Sequence, residues 1–453
     1  MIVKATDQKV LEDCYKESGN QLLFLYGKKD SEKEALFKQF VADKKCFYYR
    51  AREASADAQL RMMGQEIAKT FDVRLQENSY EEYFKRIKSN GPSKLVVIID
   101  EASYVMKKDP SFFAALLKLK ARQLYPGPVM ILLTTSSVVW AEGTVLAEDG
   151  EYKKHIDISL KLEDFNFLDV VRTFPDFTVA DAVSFYGVLG GVPGYMKRWN
   201  SKKSFKQNIC ELVLSEDGYL YNKAEELISS ELRELSVYNT ILATIASGKN
   251  KLNDLFLETG FSRAKISVYM KNLGAFDIVN KLSNFETGGW ENAKKGVYEI
   301  TDTYVNFWYC FIYPHLSDLH LLTPEAFYDR YIAGELDCYL SRYFTSVCKE
   351  YLFLLHQMKR LPISIAKMGS WIGKTGNLDI VAQSTDRRSI VGLCNWEKPE
   401  ITVEMLTELE ESMKQARVNA EKIYLFSAKS FAPGLVELAK SDARLELVDM
   451  KEL

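Results

Sequence analysis

Gly27 and Lys33 bound the segment Gly27-Lys28-Lys29-Asp30-Ser31-Glu32-Lys33, which follows the apolar run QLLFLY. A loop of the pattern G-x-x-x-x-G-K-[ST] between a strand and a helix cradles phosphates. Its backbone amides wrap the anion, its lysine reaches the outer phosphates and its hydroxyl binds magnesium. Gly27 and Lys33 keep that spacing, with Lys28 beside the glycine. Glu32 stands where the pattern has its second glycine, and Glu34 where it has the hydroxyl. Both changes work against phosphate. Glycine is wanted where the backbone approaches a ligand closely. Glu34 sets one anion near another. At about 4 Å and an effective dielectric of about 20, such a contact costs on the order of 4 kcal/mol before screening. Taken alone, the segment reads as a charged, solvated turn between a strand and a helix.

A second cluster lies further along the chain. Leu95–Ile99 is LVVII and runs into Asp100-Glu101. An apolar strand ending in Asp-Glu is the usual other half of a nucleotide site. Asp100 would hold magnesium through water, and Glu101 would polarise the attacking water. Val129–Leu133 then runs into Thr134-Thr135-Ser136-Ser137. Thr135 is placed to sense a terminal phosphate, although polar residues also simply close strands. Together these residues imply ATP and Mg2+ at a weakened site: Gly27, Lys28, Lys33 and Glu34 around the nucleotide, Asp100 on the metal and Glu101 in catalysis.

Those residues need a scaffold. Residues 21–165 alternate apolar strands with helical stretches, the pattern of a parallel α/β sheet. Strands are expected at Gln21–Tyr26, Cys46–Arg50, Leu95–Ile99 and Val129–Leu133, with a helix at Ala35–Val41. The alternation of Ile156, Ile158, Leu160 and Leu162 predicts an edge strand. Residues 166–235 read as helical. Thr178 and Asp181 predict a capping box for a helix that stops at Gly190-Gly191.

Residues 237–302 read as three helices and a hairpin, the order of a winged helix. Ser262 caps its third helix, Arg263 to about Leu273. That helix carries Arg263, Lys265 and Lys271 and no acids, with Ile266, Val268 and Leu273 expected inward. Gly288-Gly289 would turn the hairpin, and Lys294 and Lys295 would lie on its wing. These cations could neutralise DNA phosphates, but winged helices also dock proteins. Residues 303–335 form an aromatic connector. The remainder returns to α/β. A helix is expected over about 338–357 and another over about 403–418. Strands are expected near 363–367, 378–383, 389–394, 423–426 and 445–448.

Bulk properties narrow the classes. The chain has 453 residues, 47% apolar and 27% charged, with a net charge of −3. Such a balance gives no global attraction to nucleic acid or acidic lipid. Seven cysteines without a CxxC pair predict reduced thiols, and four histidines show no metal spacing. The segment MIVKATDQKV is not a signal peptide, and no apolar run approaches the roughly 20 residues a bilayer needs. A cytoplasmic protein without membrane contact is expected.

Six segments in one order carry a resemblance: LLFLYGKK, VVIIDEASYV, GGVPGYMKRW, ILATIASG, VYEITDTYVNFWYCFI and MGSWIGKTGNLDIVA. They span nearly the whole chain, which resembles the archaeal-type ATPase family. These are AAA+ proteins of the signal-transducing (STAND) class, with a winged helix and a restriction-endonuclease-like domain of unknown function. The resemblance implies an α/β multidomain chain: a P-loop NTPase domain over 1–165, a helical lid over 166–235, the winged helix and aromatic connector over 236–335, and the nuclease-like domain over 336–453. It also implies that Pro193 lies near any bound nucleotide.

Departures from the family are equally specific. Its phosphate loop resembles GRRRVGKT, which Glu32 and Glu34 break, and its Gly-Ser after the fourth strand is Thr135-Ser136 here. Restriction-type nucleases hold metal with an aspartate on one strand and Glu-x-Lys on the next, helped by a helical glutamate. Asp379 and Glu350 match the first and last. The family's G-E-C-K-W reads Gly392-Leu393-Cys394-Asn395-Trp396, so a neutral pair replaces the carboxylate and the lysine. The expected function is a degenerate ATPase-family scaffold, nucleotide-responsive or purely structural, with an inactive nuclease-like domain. An active ATPase with an atypical loop is one alternative. A DNA-binding regulator or defence factor is another. A protein partner or homo-oligomer fits any of them.

Overall fold

The computed structural model describes residues 2–88, 93–121, 127–282, 284–285 and 296–452. The chain divides into two units. One is Met1–Asp164 with Val192–Lys197, and the other is Phe165–Gly191 with Arg198–Leu453.

The first unit holds a five-stranded sheet of β1 (Gln21–Tyr26), β2 (Cys46–Arg50), β3 (Leu95–Asp100), β4 (Val129–Thr135) and β5 (Ile158–Lys161). Its order is β2-β3-β4-β1-β5 and every pair is parallel. All residues of β1, β3 and β4 are buried, as fits strands covered on both faces. β5 takes the edge that its alternation predicts. The helix α1 (Lys33–Phe40) follows β1 through a short 3-10 turn, Lys29–Ser31. Its Leu36, Phe37 and Phe40 pack with Leu23 and Leu25 in one apolar cluster. With β1 opening into the loop and β3 into the acidic pair, this is the P-loop NTPase arrangement. Among the described residues no helix is long and apolar enough to cross a membrane.

The second unit is helical at first. Thr178 and Asp181 form the expected capping box on helix Val179–Leu189, which ends at Gly190 with φ 63°. After several shorter helices come α2 (Leu235–Ala246), α3 (Leu252–Thr259) and α4 (Arg263–Ala275), then the antiparallel pair β6 (Val279–Leu282) and β7 (Val297–Ile300). Ser262 caps α4 by accepting from the amide of Lys265 at 3.2 Å. Ile266, Met270 and Leu273 are buried on α4, whereas Val268 is 58% exposed. The inward placement of Val268 is therefore corrected: it lies about 200° around the helix from Ile266. Gly288, Gly289, Lys294 and Lys295 lie outside the described residues.

The long helix α5 (Leu336–Gln357) precedes a mixed sheet of β8 (Lys367–Ile372), β9 (Asn377–Gln383), β10 (Ser389–Asn395), β11 (Ala420–Ser427) and β12 (Leu445–Asp449), in the order β12-β11-β10-β9-β8. The helix α6 (Val403–Ala416) packs Leu406, Leu409 and Met413 into the core cluster of Val381, Val391 and Leu425. The expected strand near 363–367 lies further on, at Lys367–Ile372. Leu361, Ile363 and Ile365 alternate like a strand. However, the antiparallel ladder begins only where Lys367 meets Gln383, the last residue of β9.

Candidate nucleotide site

The loop between β1 and α1 packs tightly on its surroundings. A Cβ on Gly27 would lie 2.9 Å from Leu162 Cβ and 3.3 Å from Ser31 Oγ. Ser31 N donates to Lys28 O at 3.1 Å, and Lys28 itself is half-buried. Glu32, in the place of the second glycine, has φ 56°. This left-handed conformation costs a residue with a Cβ roughly 1–2 kcal/mol. The carboxylate is paired: Lys197 Nζ donates to Glu32 Oε2 at 3.0 Å. Lys197 follows the short helix Pro193–Met196, where Pro193 is buried. A Cβ on Gly194 would lie 2.8 Å from Asp30 Cβ, so the segment holding Pro193 lies against the loop.

Lys33 is 6% exposed. Its ammonium donates to Gly27 O at 3.3 Å and to Ser136 Oγ, and lies 3.4 Å from Glu101 Oε1. Burial pushes this ammonium below the usual lysine range, against the pull of Glu101 and Asp100. Glu101 also has a left-handed backbone, φ 54°. Its carboxylate accepts from Ser136 N at 2.9 Å and from Ser136 Oγ. Burial alone would raise the Glu101 carboxyl, but Lys33 and Ser136 outweigh it and hold it below its ordinary value. The hydroxyl in this cluster is thus Ser136. Thr135, the residue expected to sense phosphate, is fully buried, and its Oγ1 accepts from Ser137 N at 3.1 Å.

Asp100 is 2% exposed. Its Oδ1 accepts from Thr134 Oγ1 at 2.6 Å, and its Oδ2 accepts from Tyr48 OH at 2.8 Å. Arg50 Nε lies 3.7 Å from Oδ2, and Arg50 Nη1 donates to Glu34 Oε1. Arg50 stands beside Asp100 in the register of β2 with β3. Tyr48 is two residues earlier and so projects to the same face. Sequence reasoning missed Tyr48, Arg50 and Lys197, and among the hydroxyls after β4 it singled out Thr135 rather than Ser136. Only the alternation of Tyr48 and Arg50 hinted at two of them, and it needed the sheet order to become meaningful.

These donors fit a phosphate chain better than a divalent cation. The buried Ser31 hydroxyl has no hydrogen-bond partner among the described residues, and Lys33 supplies a buried ammonium. Conversely, both Asp100 oxygens accept hydrogen bonds, and Glu34 sits on a guanidinium where a metal-binding hydroxyl would be.

In the second unit, Asp379 lies on β9. Its Oδ2 accepts from Cys394 N at 2.8 Å. Lys349 Nζ donates to Ser370 Oγ at 2.8 Å, and Ser370 Oγ donates to Asp379 O at 2.6 Å. Burial raises the Asp379 carboxyl, opposed by Cys394 N and Lys349, and burial lowers the Lys349 ammonium. Glu350 does not join Asp379. It accepts from Phe167 N at 3.0 Å and from Tyr186 OH at 3.2 Å, because consecutive helix residues point about 100° apart. Leu393 packs against the apolar core. Asn395 closes a turn through Lys398, donating to its carbonyl at 2.9 Å and accepting its amide at 3.0 Å. On α4, Arg263, Lys265 and Lys271 are exposed. Arg263 lies 4.1 Å from the Phe256 ring centroid and Lys265 lies 4.6 Å from that of Phe261.

Residues 308–415 match the family model of archaeal and bacterial proteins of unknown function, DUF234. An uncharacterised protein of Methanocaldococcus jannaschii is 23% identical over 390 residues, covering 86% of this chain and 85% of its own. Among solved structures, the Walker-type ATPase of Pyrococcus abyssi is 17% identical with a TM-score of 0.46, over 68% of this chain and 96% of that one. The ORC2 protein of Aeropyrum pernix, solved in ADPNP and ADP complexes, is 11% identical with a TM-score of 0.45, over 70% of this chain and 94% of that one. The chain is thus similar to the DUF234 family over residues 308–415 and to an uncharacterised archaeal protein along most of its length.

Proposed function

We propose that this protein is a nucleotide-binding scaffold that has given up ATP turnover. One observation carries the reading. Glu101, the carboxylate that would polarise an attacking water, is held by Lys33 and twice by Ser136. A base with three of its roughly four acceptor sites engaged is poorly placed to take a proton from water, and its depressed affinity for protons weakens it further. Gly27, Lys28, Lys33 and the segment at Pro193 then serve to hold a phosphate chain rather than to cleave it. Glu34 faces Arg50 and repels phosphate less than its charge suggests.

The second unit supports the same reading. Asp379 is the one carboxylate of the nuclease-like pattern at its expected place. Glu350, Leu393 and Asn395 are engaged elsewhere, so this domain acts as a folded module without hydrolytic chemistry. The winged-helix segment serves protein docking or assembly in preference to DNA. Two of the three cations on α4, Arg263 and Lys265, lie over aromatic rings of their own unit. Weak retention of labelled duplex at moderate salt is expected, and tight salt-resistant retention would reverse that preference.

The deciding experiment follows thermal unfolding during titration with ATP, with phosphate release measured in parallel. A rise in melting temperature without phosphate release is expected. No shift at saturating ATP would sink nucleotide binding. Steady phosphate release abolished by Glu101→Gln would establish an active ATPase instead.

A further inference from the structure

In P-loop NTPases the divalent cation sits between the hydroxyl that follows the loop lysine and the aspartate that ends the acidic strand. Here those two positions are Glu34 and Asp100. The group between them is the guanidinium of Arg50, which donates to Glu34 Oε1 and lies 3.7 Å from Asp100 Oδ2. Both ends of the usual metal seat therefore face a cation of this chain. Tyr48 closes the arrangement by donating to Asp100 Oδ2 at 2.8 Å.

Three features show that this is built rather than incidental. Arg50 is the last residue of β2 and is registered on Asp100 itself. The main chain is tied there too, since Ala51 N donates to Asp100 O at 2.9 Å. Moreover, Glu34 is what makes the seat suit a guanidinium. A hydroxyl at position 34 would offer no charge to pair with, whereas a carboxylate forms a charge-assisted hydrogen bond. The acid that breaks the loop pattern and the arginine that faces it are thus two halves of one replacement.

We propose that Arg50 takes the place of the divalent cation, so that this site holds a nucleoside di- or triphosphate without magnesium. A guanidinium presents several donors in a planar fork and suits phosphate oxygens. It also repels a second cation from the same seat. This inference rests on the reading of the protein as a nucleotide binder and adds the ionic form of the ligand it takes.

The test is calorimetric titration of the full chain with ADP, once in excess MgCl2 and once in EDTA. For the wild-type chain the two dissociation constants are expected to agree within about twofold. Arg50→Ala removes an exposed side chain from a strand end, so the fold should survive. That variant should bind ADP about tenfold more weakly in EDTA and should regain part of the loss when magnesium is added. Arg50→Lys, which keeps the charge without the fork, should lie between the two. Wild-type binding that appears only with magnesium would overturn the inference and leave the nucleotide-binding reading standing. Identical binding by wild type and Arg50→Ala in EDTA would overturn it as well. No ADP binding under any condition would overturn that reading and this inference together.

Discussion

The two polar centres of this protein, one around Lys33 and one around Asp379, meet their buried charges in opposite ways. In the first unit the departures are charged, and each has a cation of opposite sign. Glu32 faces Lys197 and Glu34 faces Arg50, and the retained Glu101 likewise faces Lys33. In the second unit the departures are neutral, and the polar groups that remain are bound to backbone and hydroxyls. Asp379 holds the amide of Cys394, and Lys349 holds Ser370. The first pattern keeps a charged pocket able to meet an anion. The second keeps a core in which one buried acid is tolerated because a main-chain donor satisfies it. Charge compensation preserves a site, whereas neutral replacement dissolves it into packing.

The largest expected effect breaks the compensation at its most buried pair. Lys33→Met leaves Glu101 with Ser136 alone, and uncompensated buried charges typically cost about 3–5 kcal/mol. Urea unfolding should show that loss as a lower midpoint at an unchanged slope. The double variant Lys33→Met/Glu101→Leu should recover most of it, because a buried pair replaced by apolar groups is often close to neutral. A cost below about 1 kcal/mol for Lys33→Met would mean that the pair does not organise the centre.

A second expectation uses pH to set the centres against each other. Glu101 is held below its ordinary value of 4.5 in the folded chain. Its contribution is therefore present above the unfolded value and is lost as pH falls through the folded one. Asp379 is held above its ordinary value of 3.8. Its contribution is present below the unfolded value and is lost as pH rises through the folded one. Stability measured against pH should thus separate the variants. The gap between wild type and Glu101→Gln should close in acid. Asp379→Asn should gain on wild type as the solution is brought from acid toward neutrality. Parallel curves for the two variants would remove the distinction between the centres.

Much of this was legible in the residues, and the reason is physical. LVVII and QLLFLY are continuous apolar runs of strand length set between helical stretches, so β1 and β3 and the groups at their ends followed from length and context. The capping box at Thr178 and Asp181 was equally readable, because it is local. What escaped were pairings between residues distant in sequence. Arg50 meets Asp100 only because β2 lies beside β3, and Lys197 meets Glu32 only because Pro193–Met196 returns to the first sheet. Glu32 and Glu34 looked like simple losses for the same reason: their partners were invisible. In the second unit, helix phase decided the matter. Glu350 has the right residue type, but its neighbour Lys349 has the angle that faces Asp379.

The smallest expected effect sharpens the comparison where the loop itself is strained. Glu32→Gly removes a left-handed conformation worth about 1–2 kcal/mol in a residue with a Cβ. Against this it loses an ion pair with Lys197, which is 59% exposed, and such pairs contribute about 0–1 kcal/mol. Glycine also loosens the unfolded chain, at a cost of about 0.4–1 kcal/mol. These terms nearly cancel, so stability should change by less than about 1 kcal/mol in either direction. Nucleotide affinity should not cancel. Removing one carboxylate from the loop and letting the backbone approach the phosphates both favour binding, so ADP should bind more tightly to Glu32→Gly than to wild type. Tighter binding with unchanged stability would place Glu32 as a brake on the ligand rather than a support of the fold. A clear loss of stability without tighter binding would make the Glu32–Lys197 pair part of the scaffold, and would bring this loop closer in kind to the packed centre around Asp379.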